Sequence, residues 1–369
     1  MPTGSGPQWE KLFGVAAHGA QAVRFDWFVL RKHGHPFLFL PAAAPLARHG
    51  LTLYPAQTQF ARCARALLHI AIRFRLPLPL QRETWIASAE NEFLKFAARL
   101  VGLDPRSIPT PAVLAGNPAG PGPRAMLLFA GSTGAPKIVV KAGTTPSARE
   151  LIRAEVNILS QLPTELAGVP RIRASFNSEH VEAFAQEFFP GDSPRGAQPD
   201  MLGELLGGWI DTTRTVRVAD VPAWQRLAGA CGDSNAFKQL AKTLGERAMH
   251  PVVWHGDFVP WNIKVNPENG RWTVLDWERA ELVGMPGWDW FHYVVQTEIL
   301  VRKNSGRKLL HAVESLLSAV PFRAYAARAG ITGIERPLLA AYLLYHNTII
   351  RPAEGLTPAE GLLGAILEP

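Results

Sequence analysis

The sequence contains few cysteines and no long apolar runs. Its 369 residues include two cysteines, Cys63 and Cys231, which excludes a disulfide framework. Cysteine and histidine do not occur at the spacing of zinc ligands, so a reducing compartment is the simplest interpretation. No apolar run reaches the roughly 18 residues of a membrane-spanning helix. The first residues, MPTGSGPQWEKLF, lack the pattern of a signal peptide. We therefore expect a cytoplasmic protein.

Acidic residues are scarce at the start of the chain. Residues 1–100 contain 12 Lys/Arg and 5 Asp/Glu, a balance of +7, which equals the net charge of the whole chain. Residues 101–200 balance at 9 against 9, and residues 201–369 at 17 against 17. This uneven distribution indicates that the first hundred residues form a separate module with its own partner.

The order of sequence patterns predicts an α+β protein with two lobes. β-rich runs predict two strands within 23–42, around a turn at 32–34, and further strands at 125–130, 137–141 and 184–189. Helical patterns predict helices at 57–74, 85–101 and 147–162. Residues 104–123 are rich in proline and glycine and indicate a boundary. From about residue 201 the pattern is mostly helical. We expect a basic α/β module at 1–104, a β-rich lobe at 105–192 and a helical lobe at 193–369.

The helix predicted at 57–74 has one basic face. Arg62, Arg65, His69 and Arg73 recur at spacings of three and four. The favoured interpretation is that the helix packs its apolar face on the rest of the protein and leaves the arginines in solvent. Peripheral contact with an anionic membrane is a second interpretation. Binding of an acidic substrate or of nucleic acid is the third, and we expect no nucleic-acid partner because no binding motif is present.

One segment carries the residues of a chemical site. In HGDFVPWN, Asp257 and Asn262 are five residues apart, and the run TVLDWE places Asp276 nineteen residues after Asp257. Phosphoryl transfer requires a carboxylate that accepts the proton of the attacking hydroxyl, and oxygen ligands for Mg²⁺. Magnesium prefers carboxylates and other hard oxygen ligands. These needs predict Asp257 as the base, with Asn262 and Asp276 as metal ligands.

These motifs resemble a known family. HGD-x4-N followed by a hydrophobic-Asp-Trp-Glu run is similar to the aminoglycoside phosphotransferase and choline kinase-like group. The resemblance implies a bilobal protein-kinase-like fold with a β-rich N-lobe and a mainly helical C-lobe. It also implies that Lys141, at the end of KIVVK, pairs with the phosphates and that Glu155 holds this lysine in position. Lys137, four residues earlier on the same strand, is the competitor for the lysine role.

The same resemblance assigns further residues. FAQEFFPG is similar to the connector between lobes that binds a purine, and its candidates are Gln186, Glu187, Phe188 and Phe189. Gly116, Gly120 and Gly122 either cover phosphates with backbone N–H groups or belong to a plain linker.

Residues around the catalytic segment are expected to support it. We interpret His255 as a packed loop organiser and Glu278 as a supporting residue with metal or substrate contact as the alternative. Asp289 either accepts hydrogen bonds from the catalytic loop or caps a helix. Gly256 stands where protein kinases usually have an arginine, which favours a small-molecule kinase.

The resemblance predicts a phosphotransferase that uses ATP (or GTP) and Mg²⁺ and whose acceptor is a hydroxyl of a small molecule or of a sugar or glycoconjugate. An aminoglycoside-resistance kinase is an alternative, although residues 201–369 show no acidic run that would select a polycation. A pseudokinase or nucleotide-sensing module is the alternative from another class. Eight tryptophans in this half are expected mainly in the core.

Overall fold

The computed structural model describes residues 8–18, 21–42, 46–77, 80–116, 122–196 and 198–353. The chain forms two compact units. The first unit contains residues 1–160, 170–192 and 264–270, and the second contains residues 161–169, 193–263 and 271–369. The predicted residue Gly120 lies outside the described residues.

The first unit is built on one antiparallel sheet of eight strands. Their order in the sheet is β3-β1-β2-β4-β5-β6-β8-β7. The strands are β1 Ala22–Lys32, β2 His35–Pro41, β3 Gln81–Ser88, β4 Ala112–Leu114, β5 Arg124–Ala130, β6 Pro136–Gly143, β7 Ile172–Asn177 and β8 Glu182–Glu187. In β1, Val23, Phe25, Trp27 and Val29 are buried and alternate with more exposed residues, as a strand with one core-facing side requires.

Some helices of the first unit lie in segments where the sequence predicts a helix, and others lie in segments where it predicts none. They are α1 Trp9–Phe13, α2 Leu46–Gly50, α3 Gln59–Arg73, α4 Glu92–Val101 and α5 Pro146–Gln161. Short 3₁₀ turns occur at Leu51–Leu53 and Pro105–Ser107. The main core of this unit packs aromatic side chains from α1, α4 and the sheet, among them Trp9, Phe25, Trp27, Phe39 and Phe93.

The prediction of a single helix at 85–101 was wrong in its first part. Residues Gln81–Ser88 form β3, which pairs antiparallel with β1 along its whole length. The stretch QRETWIAS contains Thr84, Trp85 and Ile86, residue types that favour strands. The helix begins only at Glu92, because the side chain of Asn91 accepts a hydrogen bond from the N–H of Leu94 and so caps it.

The predicted boundary at residue 104 lies inside the first unit. Strand β2 pairs with β4 through Leu38 and Phe39, so the strands of residues 1–104 and those of residues 105–192 belong to the same sheet. The division between Asp192 and Ser193, in contrast, is also a division between the two units. A separate role for residues 1–104 stays a prediction.

Helix α3 has apolar side chains on two of its sides, and only one of these sides packs on the protein. Leu68 and Ile72 are partly buried and pack against a small core formed by α2, β2 and β5. The helix contains no fully buried residue, and Phe60 and Leu67 are exposed. The favoured interpretation, in which the apolar face packs on the protein, therefore describes only one side of the helix.

The second unit is mainly helical. Its helices are α6 Pro199–Gly207, α7 Pro222–Cys231, α8 Asn235–Leu244, α9 Trp288–Gln296, α10 Gly306–Ser318, α11 Val320–Ala329, α12 Glu335–Tyr345 and α13 Arg351–Ala353. Its short strands are β9 Val216–Arg217, β10 Ala248–Met249, β11 Val252–Trp254, β13 Trp272–Val274 and β14 Glu281–Gly284. Strand β12, Ile263–Val265, begins with the last residue of a segment of the second unit and continues into segment 264–270 of the first. Strand β11 pairs with β14, and β9 pairs with β10.

The predicted fold class is confirmed, because a β-rich unit is combined with a mainly helical unit that follows it. Among the helices in the described ranges, none is long and apolar enough to cross a membrane.

Candidate active site

Asp257 lies in the loop after β11, within the second unit. Asn262, from the 3₁₀ turn Pro260–Asn262, donates through Nδ2 to the Asp257 backbone oxygen at 3.0 Å and to Oδ2 at 3.1 Å. The other carboxylate oxygen, Oδ1, lies 3.1 Å from Nε2 of His292. Both oxygens of this carboxylate are therefore held by neighbouring side chains.

His292 is a site residue that the sequence interpretation missed. It lies on α9, and its ring is buried. Because a carboxylate oxygen only accepts hydrogen bonds, Nε2 carries the proton and donates to Asp257. Nδ1 lies 3.0 Å from the hydroxyl oxygen of Tyr342. Asp289 and His292 are three residues apart and share one face of α9, which is the signal that would have found it.

Two opposed effects determine the protonation state of the Asp257 carboxyl group. Burial raises the pKa of Asp257, while the hydrogen bond from His292 lowers it, and the resulting pKa lies below its ordinary value. The carboxylate is therefore ionised near neutral pH, which is the state that accepts a proton.

His255 is fully buried and organises the backbone of the loop. Its Nδ1 accepts a hydrogen bond from the N–H of Asp257 at 3.2 Å, and its Nε2 lies 3.0 Å from the carbonyl oxygen of Leu275. Nε2 therefore carries the proton of a neutral ring. Burial lowers the pKa of His255 to about 4, so the ring stays neutral near pH 7 and links the two segments that carry Asp257 and Asp276.

Asp289 holds the same loop from the other side. Its carboxylate accepts hydrogen bonds from the N–H groups of His255 at 2.8 Å and Gly256 at 3.2 Å. Burial raises the pKa of Asp289 to about 7, although both hydrogen bonds act to lower it. The residue also lies in the first turn of α9, whose N-cap is Gly287, and it makes no cap hydrogen bond of its own in that helix.

Gly256 is required by the shape of the loop. Its φ is +81°, a left-handed conformation that glycine adopts at low cost. A Cβ atom there would lie 2.7 Å from the carbonyl oxygen of Arg279 and 2.9 Å from its Cβ. The neighbouring atoms therefore leave no space for an arginine, or for any other side chain that has a Cβ atom, at this position.

Asn262 and Asp276 are brought together by the backbone. The N–H of Leu275 donates to the carbonyl oxygen of Asn262 at 2.7 Å, which places Asp276 one residue from that contact. Asp276 has a φ of +72°, a strained conformation that occurs often at functional sites. Glu278 is half-buried two residues further on.

The donor set at these positions fits Mg²⁺. The two hydrogen bonds from Asn262 to Asp257 both use Nδ2, so Oδ1 is the atom of this side chain that can act as a ligand. The amide oxygen of Asn262 and the carboxylate of Asp276 are hard oxygen donors, which Mg²⁺ prefers.

Within the first unit, Lys141 and Glu155 form a buried ion pair. Lys141 is on β6 and Glu155 on α5, and Nζ lies 2.5 Å from Oε2. Lys137, on the same strand, is exposed and donates to the carbonyl oxygen of Val101 at the end of α4. The two candidates for the lysine role thus have different partners, and only Lys141 is paired with a carboxylate.

The connector residues also lie in the first unit. Gln186 and Glu187 end β8, where they pair with Val139 and Ile138 of β6. The Nε2 atom of Gln186 is buried and lacks a hydrogen-bond partner within the described ranges. The N–H of Phe188 donates to the carbonyl oxygen of Lys137. Phe189 follows directly and is half-buried.

Two of the predicted glycines have packing reasons for being glycine. A Cβ at Gly116 would lie 2.4 Å from the N atom of Arg124, and one at Gly122 would lie 2.6 Å from the N atom of Ala148. Close backbone approach explains both glycines without a phosphate, and their role toward a nucleotide stays a prediction.

Most tryptophans of the second half belong to the core. Seven of the eight are buried: Trp209, Trp224, Trp254, Trp272, Trp277, Trp288 and Trp290. The eighth, Trp261, is only half-buried and directly precedes Asn262. Trp277 packs its ring 4.7 Å from that of His255, which helps to fix the position of the histidine.

Comparisons with known proteins agree with these motifs. Residues 128–294 match the model of the phosphotransferase enzyme family, a range that includes Lys141, Glu155, Asp257, Asn262 and Asp276. No curated protein sequence matches the chain.

Several solved structures are similar at low sequence identity. Aminoglycoside phosphotransferase APH(3'')-Id from Streptomyces rimosus is 16% identical, with 60% of this chain and 89% of that chain covered and a TM-score of 0.39. A thermostable mutant of aminoglycoside phosphotransferase APH(4)-Ia, in a ternary complex with ADP and hygromycin B, is 14% identical, with 75% and 98% covered and a TM-score of 0.44. A candidate fructosamine-3-kinase from Haemophilus somnus is 13% identical, with 74% and 96% covered and a TM-score of 0.45. The resemblance inferred from the motifs is confirmed, and it rests on the match of residues 128–294 to the phosphotransferase enzyme family.

Proposed function

We propose that this protein is a kinase of small molecules that transfers the γ-phosphoryl group of ATP, or of GTP, to a hydroxyl of a small molecule, sugar or glycoconjugate. The observation that carries the proposal is the arrangement around Asp257. Its ionised carboxylate is held between His292 and Asn262, within the segment that matches the phosphotransferase family.

Asp257 is the general base in this proposal. One carboxylate oxygen accepts the proton of the acceptor hydroxyl while the hydroxyl oxygen forms a bond to the γ-phosphorus. The bond between that phosphorus and the β,γ-bridging oxygen breaks, and the nucleoside diphosphate leaves with the electron pair. The hydrogen bonds from His292 and Asn262 keep the carboxylate oriented for this step.

Asn262 and Asp276 would hold Mg²⁺, which when bound neutralises the negative charge of the phosphates. His255 and Asp289 act on the backbone of the loop that carries Asp257, and Glu278 lies close in sequence to Asp276. These residues position the reacting groups without touching the substrate.

Lys141 would pair with the phosphates of the nucleotide, and Glu155 would hold its ammonium group. Their buried ion pair supports this assignment over Lys137. Gln186–Phe189 would contact the purine, and the unpartnered Nε2 of Gln186 is a donor that a ligand can satisfy. The exposed turn that carries Ser132 and Thr133 joins β5 to β6, the strand of Lys141, and is a further candidate for phosphate contact.

We place the reaction in the cytoplasm. Nucleoside triphosphates and Mg²⁺ are supplied there, and Cys63 and Cys231 are free thiols, the form that a reducing compartment maintains.

The test is incubation with γ-labelled ATP and Mg²⁺ against a panel of hydroxyl acceptors, including sugars, amino alcohols and aminoglycosides. The proposal predicts transfer of label to at least one acceptor by the wild type and loss of this transfer in Asp257→Ala. Nucleotide binding without transfer to any acceptor, or to water, would instead indicate a nucleotide-sensing module.

A further inference from the structure

The side of α3 opposite its packed side carries a row of exposed apolar residues. Phe60 is 83% exposed, Leu67 67% and Phe74, the residue after the helix, 65%. At 100° per residue these side chains, together with the exposed residues Cys63 and Ile70, lie on one stripe of the helix. We call these five residues the α3 stripe. A folded protein rarely leaves so many large apolar side chains in solvent on one face.

The helix is held in place independently of this stripe. Leu68 and Ile72 pack on the small core beneath it. Arg65 forms an ion pair with Asp192 at 2.6 Å, and the side chain of Thr58 caps the first turn by accepting from the N–H of Ala61. The exposure of the stripe is therefore a property of a fixed helix.

One edge of the stripe is basic. Arg62 and Arg73 are exposed along one edge of it, and Arg75 is exposed just beyond the helix. Residues 27–82 contain eight lysines and arginines and no aspartate or glutamate. The exposed Leu76 extends the apolar surface past the end of the helix.

We propose that the α3 stripe docks on the surface of an anionic lipid bilayer. A helix that lies in a membrane interface has large apolar side chains on one face and arginines or lysines beside them. Here the phenylalanines, Leu67 and Ile70 would enter the boundary between headgroups and acyl chains. The three arginines Arg62, Arg73 and Arg75 would lie at the level of the lipid phosphates. Charge complementarity selects anionic lipids, since each arginine near such a surface contributes to binding.

The same charges disfavour a second copy of this chain as the occupant. A two-fold interface through the stripe would bring Arg62, Arg73 and Arg75 of both copies together. Residues 27–82 offer no carboxylate that would neutralise them. Anionic headgroups of a bilayer would neutralise these arginines, whereas an interface between two copies would bring their positive charges closer together.

The first experiment is co-sedimentation of the full chain with phosphatidylcholine vesicles that contain either no phosphatidylserine or about a third phosphatidylserine. We expect binding only to the anionic vesicles. The variant Phe60→Ser/Leu67→Ser/Phe74→Ser and the variant Arg62→Gln/Arg73→Gln/Arg75→Gln should each bind at least about tenfold more weakly. Thermal unfolding monitored by circular dichroism should show that both variants remain folded, because none of these side chains is buried.

The matched control removes the same charge elsewhere. Lys303, Arg307 and Lys308 are exposed in the second unit, and Lys303→Gln/Arg307→Gln/Lys308→Gln should bind anionic vesicles within about twofold of the wild type. Equal loss in this control would show that net charge alone drives binding and would overturn the assignment of the site to α3. Equal binding of the wild type to neutral and anionic vesicles would overturn the proposed lipid preference.

A second readout reports the position of the helix itself. Cys63 lies within the stripe and is exposed, so in a Cys231→Ser background it accepts a single environment-sensitive fluorophore. The proposal predicts a blue shift of emission with anionic vesicles and no shift with neutral ones. No shift with either, or a concentration-dependent dimer in sedimentation equilibrium that the Phe60→Ser/Leu67→Ser/Phe74→Ser variant abolishes, would contradict the proposal. The second result would assign the stripe to self-association.

Discussion

His292 donates a hydrogen bond through Nε2 to Oδ1 of Asp257, and the two atoms are 3.1 Å apart. Nδ1, on the far side of the same ring, lies 3.0 Å from the hydroxyl oxygen of Tyr342. A buried side chain that is fixed at both ends holds one rotamer of the aspartate and leaves its orientation little freedom. The proposed base is therefore positioned by a helix that lies more than thirty residues further along the chain.

Replacement of His292 tests this positioning role. His292→Ala should lower kcat by roughly 10- to 100-fold, because a small displacement of the reacting carboxylate is costly, while KM for the nucleotide stays within about twofold. Removal of the hydrogen bond also raises the pKa of Asp257, so the acid limb of the pH–rate profile should move to higher pH. His292→Gln, which retains a donor, should recover part of kcat. An unchanged kcat and pH profile in His292→Ala would contradict the role.

The two lysines of β6 give a second prediction. Lys141→Met removes one partner of buried Glu155 and should reduce kcat/KM by roughly 100-fold if the lysine stabilises the transferred phosphate. It should also destabilise the fold by about 3 kcal/mol, since the Glu155 carboxylate stays buried without the attraction of the lysine that offsets its desolvation. The double variant Lys141→Met/Glu155→Gln should regain stability without activity. Lys137→Met, at an exposed position, is the control, and a larger loss there than in Lys141→Met would reverse the assignment.

A substitution of Gly256, with Gly270 as the control position, tests whether the backbone around the loop that carries Asp257 is crowded. Both have left-handed backbone conformations, but a Cβ would meet Arg279 at Gly256 and nothing within 4 Å at Gly270. Gly270→Ala should cost about 1 kcal/mol of unfolding free energy. Gly256→Ala should cost at least about 1 kcal/mol more, from overpacking, and should also lower kcat. Equal urea midpoints for the two variants would show that the loop is not crowded at Gly256.

His255 and Asp289, two buried titratable residues, should make the stability of the folded protein depend on pH in opposite directions. The pKa of His255 falls from 6.5 to about 4 in the folded protein, so its contribution to stability is present above pH 6.5 and is lost as the pH falls toward 4. The pKa of Asp289 rises from 3.8 to about 7, so its contribution is present below pH 3.8 and is lost as the pH rises toward 7.

Denaturant unfolding across pH 4–7 checks both signs. Relative to the wild type, His255→Asn should become more stable as the pH falls, and Asp289→Asn should become more stable as the pH rises. If the unfolding free energy of both variants changed with pH in the same way as that of the wild type, the pKa shifts of His255 and Asp289 would be contradicted.

Local patterns identified most elements that carry the site. The β-rich runs in residues 23–42, 125–130 and 137–141 predicted four strands, and the cluster Asp257, Asn262 and Asp276 predicted one chemical centre. Residues 85–88 were assigned wrongly to a helix, because WIAS followed by an apolar helix is read as one helical run until the pairing of Gln81–Ser88 with β1 is known.

Long-range packing explains what the sequence could not reveal. His292 looked like one polar residue in an apolar helix, and its role depends on the approach of α9 to the catalytic loop, which only the folded chain defines. Similarly, helical periodicity found the apolar residues of α3 but could not show which side of the helix packs. Leu68 and Ile72 face the core, whereas Phe60 and Leu67 do not.

The central claim is that Asp257 accepts a proton during phosphoryl transfer, and the hydrolysis of ATP in the absence of an acceptor tests it most directly. Wild-type protein with Mg²⁺ should release ADP slowly, with water as the acceptor. Asp257→Asn, which is nearly isosteric, should reduce this rate by roughly 100-fold or more and should bind nucleotide within about twofold of the wild type. Retention of the wild-type rate by Asp257→Asn, with nucleotide binding intact, would contradict the account.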